Sequence, residues 1–295
     1  MIFNNIVNEF QNYSYNDTSN ISSYLNNLKS IDSLDENNLN IQEYLLPEVM
    51  TLLNKAVLNR FSTDLLFKEN YWSWGIVTLY YSNFFLSQAL NRLKGDFFTF
   101  IPSYGRGQGR RNIKLDTDGK YKLLSISNAY KDSHGGELKK IKENYSFLLL
   151  DSTQNNNFLR AISNINESQI RNKVNYQLTH FKELSLKKFY NNISLEECKF
   201  EYNNYCTHST AHEEFKFLGI NTDRFNLIFY MLNKIKNINS DFENKFINFE
   251  EILRDETRYK FSNDTMKIIE NKLNANMNFH SISSILEKQI KGLLS

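Results

Sequence analysis

Between Trp72 and Gly95 the chain carries one sustained helical pattern. Ile76, Leu79, Tyr80, Phe84, Ala89, Leu90 and Leu93 recur mostly three or four apart, and Val77, Tyr81 and Phe85 widen the stripe almost around the cylinder. A helix apolar on nearly every side belongs at the centre of a bundle. Gly95 stands where a C-cap glycine belongs. Thr78, Ser82, Asn83 and Gln88 interrupt the run, so it falls short of the ~18 consecutive apolar residues that mark a membrane span. Upstream, Tyr44-Leu45-Leu46, Val49-Met50, Leu52-Leu53, Ala56-Val57 and Phe61 predict a second helix over 41–67. The short link Lys68-Glu69-Asn70 then makes the two an antiparallel pair.

After Gly95 the period changes. Phe97 to Phe100 is aromatic, Pro102-Ser103 breaks it, and Tyr104 to Arg111 reads as a flexible, basic, glycine-rich loop. Asn112-Ile113-Lys114-Leu115 and Lys120-Tyr121-Lys122-Leu123 alternate polar with apolar around Asp116-Thr117-Asp118-Gly119, which predicts a β-hairpin. Two strands make no stable sheet alone, so this hairpin must lean on the helices. Helical patterns resume at 136–150, 157–162 and 167–186, the last with Ile170, Val174, Leu178 and Phe181 on one face, and again at 195–214, 222–238, 249–260 and 262–294. The first 40 residues mix Asn, Ser and Asp with scattered apolar positions, as short helices or a loosely docked arm would. The predicted fold is mainly α: an acidic arm at 1–40, a helical bundle at 41–190 with the basic loop and hairpin inserted at 102–125, and a helical extension at 191–295.

Composition agrees with this class. Only 2 Pro and 10 Gly occur in 295 residues, which favours long helices over a turn-rich sandwich or barrel. A hydrophobic share of 41% and an aromatic share of 14% exceed what a disordered chain carries. Cys198 and Cys206 build no disulfide framework and the Met1 end carries no secretory pattern, so a cytoplasmic location is expected. The net charge of +2 is unevenly spread: residues 1–50 hold one lysine against seven acids, whereas 104–142 hold ten bases against four acids. An anionic partner would meet the middle of the chain.

Three clusters carry candidate chemistry. In the basic loop, glycines at 105, 107 and 109 would let backbone amides approach phosphates, while Arg106, Arg110 and Arg111 neutralise them and Tyr104 stacks on an unpaired base. The loop follows no strand and opens no helix, and it lacks Gly-Lys-Ser/Thr, which excludes the dinucleotide and Walker fingerprints. Cys206, His208 and His212 place two imidazoles four apart, but nothing nearby completes a zinc ligand set, so no metal is expected. The third candidate is Arg171-Asn172 on an amphipathic helix, with His134 at a predicted helix entry able to approach it in the bundle. Trp72 and Trp74 read as core. No nucleophile elbow or cofactor fingerprint is present, and no cofactor is expected.

Taken together, Tyr80-Tyr81-Ser82-Asn83-Phe84-Phe85, the Ala89-Leu90 and Gly95 that follow, and Arg171-Asn172-Lys173-Val174-Asn175-Tyr176 resemble the HEPN superfamily over residues 41 to 190. That resemblance implies a helical bundle of the kind found in toxin–antitoxin and antiphage systems, often dimeric and often a metal-independent endoribonuclease. In catalytic members an Arg, often followed by Asn or another polar residue, is separated from a His by four to six residues. Arg171-Asn172 matches the start of that motif, but Tyr176, Gln177 and Leu178 stand where the His belongs, and His180 is nine places on. Arg171 would supply the cation for a phosphorane and Asn172 a positioned hydrogen bond. Tyr176, with an ordinary pKa of ~10, is a poor base at neutral pH. Val-Asn-Tyr is also similar to non-nuclease relatives that accompany nucleotidyltransferases, which implies a second role as an adaptor or antitoxin. The expected partners are RNA, and a second copy of the chain or a protein from the same operon.

Overall fold

Two long helices set the frame. In the computed structural model, which describes residues 2–15, 20–68, 71–104, 109–130, 132–149, 156–162, 165–176 and 213–246, α3 (Gln42–Lys68) and α4 (Trp72–Leu93) pack antiparallel. The pairing is read from contacts that step in opposite directions: Arg92 bonds Glu48 at 2.5 Å, the Lys55 ammonium lies 5.7 Å from the Phe85 ring, and the Ser82 hydroxyl donates to the Ala56 carbonyl at 2.8 Å. Helix α4 is buried on nearly every side, as its pattern predicts, and closes at Gly95, whose φ of 73° only glycine adopts freely. Trp74, expected in the core, is 62% exposed; it sits in the first turn of α4, ahead of the buried run that opens at Gly75.

The remaining elements are α1 (Ile2–Asn8), α2 (Ile21–Ser30), β1 (Asp96–Phe100), β2 (Arg110–Leu115), β3 (Tyr121–Leu124), α5 (Ser133–Asn144), α6 (Glu167–Tyr176) and α7 (Glu213–Lys236), with a last helical stretch at 240–246. Helix α2 carries its own boundaries. The Asn20 side chain accepts from Ser23 N–H at its start, and Asp32, at φ 52°, closes it while Ser33 N–H bonds the Leu28 carbonyl. The fold is mainly helical, with one small antiparallel sheet.

That sheet has three strands, not the two of the predicted hairpin. Phe97–Phe100 belong to β1, which pairs with β2 from Asp96 opposite Lys114 to Phe100 opposite Arg110. Alternation failed to announce β1 because Phe97 and Phe98 are both buried, one on each face. Arg110 and Arg111, read as loop, are therefore strand residues. The outer edge of β3 is closed by the arm, where Leu39 N–H bonds Tyr121 O and Leu123 N–H bonds Glu36 O.

The arm is not loosely held. Phe10, Ile21 and Leu25 are fully buried in the same cluster as Leu45, Leu53 and Leu90, and the Asn239 amide donates to the carbonyls of Phe10 and Tyr13. From the region expected as an extension, α7 enters the core beside α4, contributing Leu227, Ile228, Phe229 and Met231. The predicted helices at 177–186, 195–212 and 249–294 lie outside the described residues. No described helix is long and apolar enough to cross a membrane.

Candidate functional site

Polar residues inside an apolar helix must find partners, and those of α4 organise its surroundings. Asn83 donates to Phe217 O at 3.2 Å and accepts from Asn221, which also donates to Ser82; Arg60 on α3 donates to Asn221. Below them Arg224 and Glu167, both fully buried, form a two-point ion pair at 2.7 and 3.1 Å, and Arg224 also caps the carbonyls of Ala161 and Asn83. This network fastens α6 to α4 and α7. It fixes where the next turn of α6 places Arg171.

Arg171 is 9% exposed and packs its guanidinium over two α4 rings, 5.2 Å from the centre of Tyr80 and 5.9 Å from that of Tyr81. Among the described residues it pairs with no carboxylate, and its Nε–H is buried without a partner. Burial, opposed by Arg171, raises the Tyr80 pKa far above the ordinary tyrosine value, so the phenol stays protonated.

His134 arrives from the other side. Asp132 caps α5 by accepting from His134 N–H and Gly135 N–H, which fixes the first turn. The imidazole then stacks on Phe84 at 4.4 Å between ring centres and meets the Tyr80 hydroxyl through Nδ1 at 2.8 Å. Burial first, then the positive charges of Arg171 and Arg110, lower its pKa against the pull of Asp132, so the ring is neutral at physiological pH. Arg171, Tyr80 and His134 thus form one line of contact, cation over ring and hydroxyl to imidazole, which meets the surface where Tyr81 and His134 are partly exposed.

The other predicted site residues lie elsewhere. Asn172 and Tyr176 are exposed, Tyr176 at 72%, rotated about 100° and 140° from Arg171 around the helix. Arg110 lies over the Phe98 ring at 4.1 Å and donates to the carbonyls of Tyr130 and Asp132, which ties β2 to the entry of α5. Arg111 bonds the Arg110 carbonyl from its own strand. Gly109 has a packing reason for its identity: a Cβ there would stand 2.5 Å from Ile101 O and 2.8 Å from the Phe100 ring. Tyr104 ends a short turn at Pro102–Tyr104, and only its backbone is described. Arg106, His180, Cys206, His208 and His212 lie outside the described residues, among which no group of three or more His, Cys, Asp and Glu is placed to hold a metal.

Tyr80 was missed as a site residue because a tyrosine in an apolar stripe reads as core, and its ring is indeed fully buried. The polar Ser82 and Asn83 beside it were the available signal that this stretch of α4 faces partners as well as packing. No family model, curated protein or solved structure matches the chain.

Proposed function

We propose that the chain is a HEPN-like, RNA-acting protein that cleaves RNA without a metal at the Arg171–Tyr80–His134 line, as a growth-inhibiting toxin or antiphage effector. One observation supports this above the others: Arg171 on α6 and His134 on α5 converge on one tyrosine, the cation over its ring and the imidazole at its hydroxyl, with Arg171 Nε–H left unpartnered. In the reaction the RNA 2′-oxygen attacks phosphorus and the bond to the 5′-oxygen breaks. The proton of the 2′-hydroxyl passes through water to the departing oxygen, leaving a 2′,3′-cyclic phosphate and a 5′-hydroxyl. Arg171 and the imidazole N–H hold the charge that builds on the phosphorane, the kind of preorganised donor worth about 10²- to 10³-fold each.

The test is purified protein on single-stranded RNA in the presence of a chelator. Cleavage to cyclic-phosphate ends is expected, with Arg171→Ala and His134→Ala each reducing the rate by about 10²-fold or more. Failure to cleave, alone or with the product of a neighbouring gene, overturns the reading.

A second reading, the non-catalytic adaptor, draws on the exposed Tyr71, Trp74 and Tyr176, large apolar rings of the kind that anchor protein partners. Light scattering of the chain with and without its neighbouring gene product decides it. A defined complex whose formation Trp74→Ala abolishes, with RNA left uncut, favours the adaptor.

A further inference from the structure

Resting on the RNA-acting reading for its biological meaning, we infer that Tyr80 is a positioning residue: it sets the tautomer of His134, so that the site offers only hydrogen-bond donors and takes an oxyanion, here a phosphodiester. The argument is one of donor counting. Tyr80 is fully buried, so its hydroxyl must find its partner inside the protein. The phenol has one proton, and the acceptor at hand is His134 Nδ1 at 2.8 Å. Nδ1 must then be bare, and the proton of a neutral imidazole sits on Nε2. In the opposite arrangement Nδ1–H would donate to the phenol oxygen, and the phenol proton would be left in a buried place with no partner among the described residues.

The surroundings hold this choice in place. From α4, the fully buried Tyr80 ring stacks with Phe84 at 6.3 Å and meets Tyr81 edge-on at 5.4 Å, so the hydroxyl cannot swing aside. From α6 come the cation of Arg171 and, toward Tyr80, the carboxylate of Glu167, itself neutralised by Arg224. From the entry of α5 comes Asp132, and from β2 the cation of Arg110. A charged imidazolium would add a third cation and lose the acceptor that Tyr80 requires. What remains for a ligand is the Nε2–H of His134 and the N–H groups of Arg171, of which Nε–H is buried without a partner. Neither can accept, so the cluster suits a phosphate oxygen and offers nothing to a cation.

Nitrogen-15 spectra of the histidine rings test this directly, with His134→Gln assigning the signal. The folded wild type at neutral pH should show the Nε2–H pattern for His134, and Tyr80→Phe should lower the ratio of Nε2–H to Nδ1–H by about 3- to 10-fold, the worth of one hydrogen bond. Inorganic phosphate should shift the His134 signal in the wild type and not in Arg171→Gln. A wild-type ring protonated at Nδ1, a Tyr80→Phe spectrum unchanged from wild type, or a phosphate response unaltered by Arg171→Gln each overturns the inference. If the spectra are as expected while no RNA is cut, the positioning role stands and the RNA reading fails. The wild-type spectrum decides the tautomer even if Tyr80→Phe does not fold.

Discussion

A charged side chain with no water around it is the costliest kind to strand, and Arg224 is such a side chain, fully buried against an equally buried Glu167. Arg224→Ala should lose about 3–5 kcal/mol, read from the urea midpoint, because it leaves a carboxylate alone in the core. Arg224→Met combined with Glu167→Leu should recover most of that loss, since the pair costs much of its attraction in desolvation. Recovery absent in the double variant would assign the loss to shape instead of charge. His134 makes a second case, through pH. Its folded pKa is depressed by burial and by Arg171, whereas the unfolded ring protonates near pH ~6.5. Below that value the unfolded chain binds more protons, so the contribution is full above pH ~6.5 and lost as pH falls toward the folded value. Unfolding between pH 7.5 and 5.5 should therefore weaken the wild type more than His134→Gln. Parallel curves would remove the shift. At this scale the site was half legible: Arg171 and His134 are polar residues that ask for a partner, whereas Tyr80 hides among apolar neighbours and shows its role only when α5 and α6 are set against α4.

Elements show the same division. Helix α4 was legible from first turn to cap because its stripe is long and Gly95 ends it, and that cap makes a prediction. Gly95→Ala forces a Cβ into a left-handed residue and within 3.0 Å of Leu115 Cβ, so it should cost about 1–2 kcal/mol or more by thermal melting. A loss below about 0.5 kcal/mol would mean that the α4–β1 joint relaxes around it. Strand β1 was illegible for the reason that makes it stable: both its faces are covered, Phe97 toward the bundle and Phe98 beneath Arg110 and Lys140, so no polar alternation survives. The start of β2 was hidden by two arginines, Arg110 reaching to the entry of α5 and Arg111 bonding its own strand. Helix α7 begins nine residues before the predicted 222, because Gly219 and Asn221 break its apolar period, and Asn221 is the residue that bonds Arg60. Polar residues that serve a buried network are, to a periodicity, indistinguishable from a helix end.

In the whole molecule, the contacts that hold the arm and the bundle together join residues far apart in the chain. Asn221 is bonded across α3 and α4, and Asn239 bonds the carbonyls of Phe10 and Tyr13. These bonds also set a schedule. A ribosome adding roughly 5–20 residues per second needs about 10–50 s to travel from Phe10 to Asn239, and until then the carbonyls of Phe10 and Tyr13 are without the Asn239 amide. The excess of seven acids over one lysine in the first 50 residues suits the arm to wait without aggregating. Ribosome-bound chains stopped before residue 239 should be cut by protease around Phe10 and Tyr13, and chains extended well past it should resist. Equal protection at both lengths would show that the arm docks without its last clasp. On the expected outcome, the order of synthesis sets the order of assembly: the residues made first are the last to find their place.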